Sequence, residues 1–295
     1  MSVLDDLDEI DRINRILDEI DRILLEEGLE LMAEQIPTVV HGSAAMKASG
    51  SMSCHLLLYP AWDLRAKREH DGATAERYGM DYRQWRTLIE SSADDSVELD
   101  PEKHEYFDKR GGLRDCPSVT QILECAGLLS TLKDVPADVL ELAKVRGTYV
   151  HKASVLIDQG KLNWDSLDPE LRPHCEAYRD WQQTTRFRPL MAEKPLINRE
   201  TRHAGTPDRV GIVDCHLPAI VDLKSGIYSP HTGLQLAGYA ALFGTAIPFL
   251  RFGLYLGKNS KPRMREFPLS ELGRDRQTFL GLVKLYNWKK AEGLI

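Results

Sequence analysis

The chain has 295 residues, of which 42% are hydrophobic, so it is long enough for one large domain or a medium domain with accessory segments. Its five cysteines are odd in number and include no Cys-x-x-Cys pair, which argues against a disulfide framework or a zinc site and favours free thiols. The formal charge of −7 excludes a chain that is basic throughout.

The negative charge is concentrated at the N-terminus. Residues 1–35 hold twelve acidic residues and three arginines, a charge of −9, so the rest of the chain carries +2. Apolar residues three and four apart predict an acidic amphipathic helix over residues 1–36: Ile10, Ile13, Leu17, Ile20 and Leu24. The seam covers about two heptads, which fits self-association or a protein partner through residues 1–35 and fits packing on the protein's own body.

The N-terminus does not resemble a targeting peptide, because it lacks a basic region followed by an apolar stretch. The longest apolar run, near residues 239–250, contains Gly244 and Pro248 and is too short to span a bilayer. These features predict a cytoplasmic protein without a membrane segment.

Residues 37–97 are predicted to form a linker and a helical accessory region. Residues 41–53 are small and polar, as in a flexible loop, whereas residues 60–92 mix aromatic and basic side chains in a helical pattern. Such a mixture suits stacking on unpaired bases and equally suits a small packed helical pair.

Residues 98–295 alternate helical and strand patterns, which predicts an α/β domain. After Ser118 the order is helix, strand, strand, strand, helix, strand. The predicted elements are a helix around His151, a helix over 171–185, strands near Glu193, Asp208 and Asp222, a helix over 232–243, a strand over 249–256 and a closing helix over 270–292.

Three short motifs lie between residues 205 and 239: Gly-Thr-Pro-Asp208, Asp222-Leu-Lys224 and Gln235-x-x-x-Tyr239. Residues 202–213 and 219–224 are predicted to be the two strands of a hairpin. Asp222 and Lys224 are two residues apart and therefore project from one face of their strand. The Gly and Pro before Asp208 predict a bend that brings Asp208 alongside Asp222.

Two carboxylates and a lysine in this arrangement suit metal-assisted cleavage of a phosphodiester. Hard divalent cations take carboxylate oxygens, and a nearby lysine offsets charge on phosphoryl oxygens. The alternative is structural: a hairpin Asp208, an ion pair of Asp222 with Lys224 on a solvated strand, and a helix-surface pair further on. Charges at the end of an apolar strand favour the functional interpretation.

The motifs Pro207-Asp208 and Asp222-Leu-Lys224 resemble the signature of the PD-(D/E)xK nuclease superfamily, and the Gln235-x-x-x-Tyr239 helix resembles its RecB-type branch. Residues 146–153 resemble the helix of this branch that delivers a histidine towards the metal. Residues 116–123 resemble a segment of mitochondrial genome-maintenance exonucleases and their phage relatives. The resemblance covers about residues 98–290. It implies a restriction-endonuclease-like αβββαβ core, a central mixed sheet flanked by helices, with an N-terminal helical extension.

The resemblance also implies roles for single residues. Asp208 and Asp222 would be metal ligands, Lys224 the catalytic lysine, and the Leu223 carbonyl a further oxygen donor. His151 would be an additional ligand or a metal-proximal group, the alternative being a satisfied core histidine on an amphipathic helix.

Four further residues take roles from the same resemblance. Glu193 would help to hold the metal or its water in catalysis, the alternative being an exposed strand residue. Gln235 and Tyr239 share one helix face that touches the lysine or DNA, and Tyr239 can also pack on the sheet. Arg146 would contact DNA.

These roles predict a Mg²⁺- or Mn²⁺-dependent deoxyribonuclease, an exonuclease acting on DNA ends or single-stranded DNA in DNA processing, recombination or repair. A structure-specific or nicking endonuclease would use the same centre. A non-catalytic DNA-binding scaffold is the third hypothesis, against which the complete set of Asp208, Asp222 and Lys224 argues. No cysteine follows Cys215, so the iron–sulfur cluster of some relatives is not expected.

Overall fold

A computed structural model of the chain describes these residues: 80–93, 96–100, 103, 105–110, 114–129, 137–213, 217–225, 229, 231–244 and 247–295. The predicted acidic helix, the linker and the first part of the accessory region lie outside them. The chain divides into two compact units, residues 1–56 with 135–145 and residues 57–134 with 146–295. Of the first unit, the structure describes only a helical stretch over residues 137–145.

A five-stranded mixed sheet lies at the centre of the larger unit. Its strands are β4 Arg188–Ala192, β7 Arg209–Ile212, β8 Pro218–Lys224, β9 Leu250–Leu256 and β10 Pro262–Phe267, in the order β10-β9-β8-β7-β4. All neighbours are antiparallel except β8 and β9, which are parallel. A parallel pair needs a crossover, and here a helix supplies it.

Helices flank both faces of this sheet, as expected for an α/β fold. They are α1 Tyr82–Ser92, α2 Val119–Cys125, α3 Ala137–Asp158, α4 Arg172–Thr185, α5 Thr232–Ala241, which joins β8 to β9, and α6 Leu272–Ala291. Successive side chains of β8 alternate between faces. Ile220 packs with residues of α5 and α6, whereas Val221 packs with residues of α4.

Two small sheets were not predicted from the sequence. One contains β1 Val97–Asp100, β2 Glu105–Asp108 and β3 Arg114–Cys116, and the other pairs β5 Leu196–Asn198 with β6 His203–Gly205. These strands have three or four residues, which is too short for an alternating pattern to stand out.

The prediction of one strand over residues 202–213 was wrong. β6 ends at Gly205 and pairs with β5, whereas β7 begins at Arg209 and pairs with β4 and β8. Residues 206–208 therefore carry the chain from one sheet into another, and the bend expected before Asp208 is present. Gly205 suits this place because an added Cβ would lie 3.0 Å from the Tyr239 ring.

One face of α1, in the described end of the accessory region, contributes to the core. Trp85 and Ile89 of α1 are buried in the cluster that packs on the sheet. The ring of Tyr82 lies against the guanidinium of Arg188, 5.2 Å from it. Trp85 is therefore not exposed for stacking on bases, and the rest of the expected helical pair lies outside the described residues.

Two general features concern the described residues alone. Cys116, Cys125 and Cys175 are free thiols, while Cys54 and Cys215 lie outside the described part. Within that part, no helix combines the length and apolar character that a membrane span requires.

Two glycines should respond oppositely to substitution by alanine. In β7, a Cβ on Gly211 would lie 2.3 Å from the Arg188 carbonyl oxygen, which the β4–β7 pairing holds in place, so Gly211→Ala should lower the free energy of unfolding by about 3 kcal/mol. Gly281 is exposed in α6 with no neighbour within 4 Å, so Gly281→Ala should raise it by about 0.5–1 kcal/mol. Urea unfolding of both variants tests this, and equal effects would contradict it.

Candidate metal centre

Three predicted site residues meet beside the main sheet. His151 comes from α3, Glu193 follows β4, and Asp208 precedes β7. One ligand atom from each lies within 4.8 Å of the others. His151 Nδ1 is 3.0 Å from Glu193 Oε1 and 3.6 Å from Asp208 Oδ1. These three residues are called the metal cluster below. His151 and Glu193 are 42 positions apart in sequence, and Glu193 and Asp208 are 15 apart, so only the fold brings them together.

The peptide of Leu223 on β8 anchors two members of the metal cluster. Its N–H donates to Asp208 Oδ2 at 2.6 Å, and its carbonyl oxygen lies 3.2 Å from His151 Nε2. The carbonyl predicted as an oxygen donor to a metal thus lies at the cluster, where it contacts the imidazole. Both ring nitrogens of His151 have a hydrogen-bond partner, and its side chain is 26% exposed. These contacts fit a metal-proximal group and also fit the alternative of a satisfied histidine.

Glu193 has an unusual backbone conformation. Its φ of 50° lies in the left-handed region, which costs a residue other than glycine about 1–3 kcal/mol. Its N–H donates to the Asp208 carbonyl oxygen at 3.1 Å, and its carboxylate turns towards His151. Glu193 lies beyond the end of β4 at Ala192, so the alternative of an ordinary strand residue was wrong.

The crowding of negative charge changes the proton affinities of the metal cluster. Burial, together with the charges of Asp222 and Glu193, raises the pKa of Asp208 to about 7, against the opposing effect of His151. Burial lowers the pKa of His151, but the carboxylates of Asp208, Glu193 and Asp222 outweigh it and raise the value to about 9. The site therefore attracts positive charge.

Asp222 and Lys224 form an ion pair next to the metal cluster. Lys224 Nζ lies 2.8 Å from Asp222 Oδ2. The structural alternative placed this pair on a solvated strand, which was wrong, because Asp222 is 2% exposed and β8 is buried up to Leu223. Burial lowers the pKa of Lys224, but Asp222 raises it further, so the ammonium stays charged.

Asp222 does not belong to the metal cluster within the described part of the chain. Its predicted role as a ligand therefore rests on the resemblance, whereas its contact in the structure is with Lys224. Its charge nevertheless acts on both His151 and Asp208.

The Gln235 and Tyr239 side chains lie one turn apart on α5 and face the lysine. Gln235 Oε1 accepts from Lys224 Nζ at 3.1 Å, and Gln235 Nε2 donates to the Tyr239 hydroxyl at 3.3 Å. Both residues are buried, so the alternative of a helix-surface pair was wrong. The expected contact with the lysine is present, and Tyr239 also packs beside Gly205.

Arg146 lies on α3, five residues before His151. The Nε and Nη1 atoms of its guanidinium are buried and have no hydrogen-bond partner among the described residues. A Cβ on the next residue, Gly147, would lie 3.4 Å from the Ser225 hydroxyl, so this turn of α3 lies at the end of β8. Unsatisfied donors there suit an anionic oxygen.

Arg209 was not among the predicted site residues, and its side chain is fully buried beside the metal cluster. Its Nη1 donates to Glu193 Oε1 at 3.2 Å and its Nε to Asp158 Oδ2 at 2.5 Å. The signal was an arginine followed by the apolar residues 210–213, because a charge in a buried strand needs partners.

The three residues of the metal cluster could hold a metal ion, because one imidazole nitrogen and two carboxylate oxygens lie within 4.8 Å of one another. Carboxylate oxygens are ligands that Mg²⁺ and Mn²⁺ favour, whereas imidazole also binds other transition metals. Neither protein-family models nor curated proteins gave a match to the chain.

Proposed function

We propose that the protein is a Mg²⁺- or Mn²⁺-dependent deoxyribonuclease of the PD-(D/E)xK superfamily, RecB-type branch, acting as an exonuclease on DNA ends or single-stranded DNA. One observation carries the proposal. The metal cluster and the Lys224–Asp222 pair adjoin each other through Leu223, whose peptide contacts both Asp208 and His151. A cation site beside a charged lysine is one arrangement that can support phosphodiester hydrolysis.

The order of elements supports the finer fold proposal of a restriction-endonuclease-like core. The chain runs in order through α3, α4, β4, β7, β8, α5 and β9. This is the expected αβββαβ order with one additional helix, α4, and with the small β5–β6 pair inserted between β4 and β7. The candidate site lies where α3, β4, β7 and β8 meet.

His151, Glu193 and Asp208 would hold the cation, and Asp222 is the further carboxylate that the resemblance assigns to it. When bound, the cation would polarise the phosphoryl group and lower the pKa of a water molecule that it holds. Lys224 stays protonated beside Asp222, so its ammonium can offset charge that develops on the phosphoryl oxygens.

Two more side chains support the substrate or the lysine. Gln235 accepts a hydrogen bond from Lys224 Nζ and so limits where the ammonium can lie. The unpartnered donors of Arg146 suit a phosphate next to the scissile one.

The test uses three DNA substrates with Mg²⁺ present: linear DNA with free ends, the same DNA with blocked ends, and closed circles. We expect mononucleotides or short products from free ends only, and no products with Asp208→Asn, which removes a ligand charge. Cutting of circles would identify an endonuclease instead. Binding of DNA without cleavage under any of these conditions would leave the non-catalytic scaffold and overturn the proposal.

A further inference from the structure

We infer that Arg209 is a positioning residue that fixes the three ligand-bearing segments of the metal cluster relative to one another. This inference rests on the proposed function, because it assigns Arg209 a task in metal binding. The guanidinium is completely buried and lies one residue after Asp208. It is a planar fork of five donors, so it can contact several segments at once in fixed directions.

Two of the contacts reach the ligand residues directly. Nη1 donates to Glu193 Oε1 at 3.2 Å, the same oxygen that lies 3.0 Å from His151 Nδ1. Nη1 also donates to the Asp208 carbonyl oxygen at 2.6 Å, the oxygen that accepts from the Glu193 N–H. The Glu193 carboxylate is thus held between Arg209 on one side and the imidazole on the other.

The other contacts reach the helix that carries His151. Nε donates to Asp158 Oδ2 and Nη2 to Ser154 Oγ, both at 2.5 Å. Ser154 and Asp158 follow His151 by three and seven residues, so all three lie on one face of α3. Through these two bonds the guanidinium sets the position of α3 relative to β7.

The far side of this network is itself immobilised. Asp158 Oδ1 accepts from the Tyr178 hydroxyl at 2.7 Å and from Gln182 Nε2 at 2.9 Å, both on α4. The Arg209 guanidinium also lies over the Tyr178 ring, 5.6 Å from its centroid. Asp158 therefore fixes the guanidinium, and the guanidinium fixes Glu193.

Burying these charges and holding Glu193 in a left-handed conformation both cost free energy, which a purely structural role does not explain. A buried ion pair is often no more stable than apolar residues of the same volume. Glu193 in addition holds a left-handed backbone conformation. A strained ligand residue stays oriented only if its surroundings hold it, and groups that orient metal ligands typically contribute 10–100-fold to metal affinity.

The experiment measures Mn²⁺ affinity without DNA, by the electron paramagnetic resonance signal of free Mn²⁺. Arg209→Lys keeps the positive charge but removes the planar guanidinium. Asp158→Asn keeps the side-chain shape but replaces the carboxylate that accepts from Arg209 Nε. We expect both to weaken Mn²⁺ binding at least about 10-fold while circular dichroism shows the wild-type fold. If Arg209→Lys does not fold, Asp158→Asn carries the test.

The chain offers a matched control in a second buried pair. Arg251, also fully buried, donates to Asp275 Oδ2 at a distance of 2.8 Å. This pair includes no residue of the metal cluster. Arg251→Lys and Asp275→Asn should lower stability and leave Mn²⁺ affinity unchanged. Equal weakening by the control pair, or wild-type affinity of folded Asp158→Asn, would overturn the inference. Wild-type protein that binds no Mn²⁺ would instead overturn the proposed metal centre itself.

Discussion

Lys224→Ala is expected to reduce the rate of DNA cleavage by about 10³-fold, because removing one preorganised donor at developing charge costs about 10²–10³-fold. The Lys224 ammonium lies between Asp222 and Gln235, and Lys224 is the last residue of β8. Single-turnover cleavage of free-ended DNA in saturating Mg²⁺ measures the effect on the chemical step.

The substitution also affects stability, since it leaves Asp222 buried without its partner. Breaking a buried pair costs about 3–5 kcal/mol, and the effect here should be smaller because the Lys224 side chain is 27% exposed. The assay therefore needs temperatures at which circular dichroism shows a folded variant. Lys261→Ala, at an exposed lysine, serves as the control and should cleave like wild type. A folded Lys224→Ala protein with wild-type turnover would remove Lys224 from the mechanism.

Cleavage should depend completely on Mg²⁺ or Mn²⁺ and should be absent in chelator. The carboxylates of Asp208, Glu193 and Asp222 repel one another, and a bound cation would relieve that repulsion. Ca²⁺ should bind without supporting cleavage, because it prefers a looser sphere with more ligands than the compact geometry that Mg²⁺ demands.

The metal prediction is measured by cleavage after dialysis against chelator and titration of each cation. His151→Ala should shift the Mn²⁺ requirement to higher concentration and recover part of its activity there. Loss of this ligand should lower the metal occupancy of the site more than it lowers the rate of the chemical step. Thr278→Ala on the exposed face of α6 is a suitable control. Full activity in chelator would contradict the metal mechanism as a whole.

Local chemistry made the centre of the site predictable. The alternation of β8 placed Asp222 and Lys224 on one face, and one turn of helix placed Gln235 and Tyr239 together, because both relations depend only on the period of the element. The structure adds that Asp222, Gln235 and Tyr239 are buried and that Lys224 is partly exposed, which the periods of strand and helix alone do not specify.

Long-range relations were not predictable in the same way. The split of residues 202–213 depends on which strands each half pairs with, and the left-handed conformation of Glu193 depends on a hydrogen bond to Asp208 across two strands. The role of Arg209 was not predictable, because its four hydrogen-bond partners come from α3, from the residue after β4 and from the preceding residue, Asp208. A single sequence carries no local pattern for such a set of contacts.

The two outer strands of the main sheet have a consequence for solubility. β10 carries Arg263, Arg265 and Glu266 along its length, and β4 contains Pro189 with a register shift beside it. Proline removes a donor, and charges and irregular pairing oppose the docking of a foreign strand. The long apolar strands β8 and β9 are thereby enclosed between neighbours whose charges, proline and irregular register oppose edge-to-edge pairing with a foreign strand.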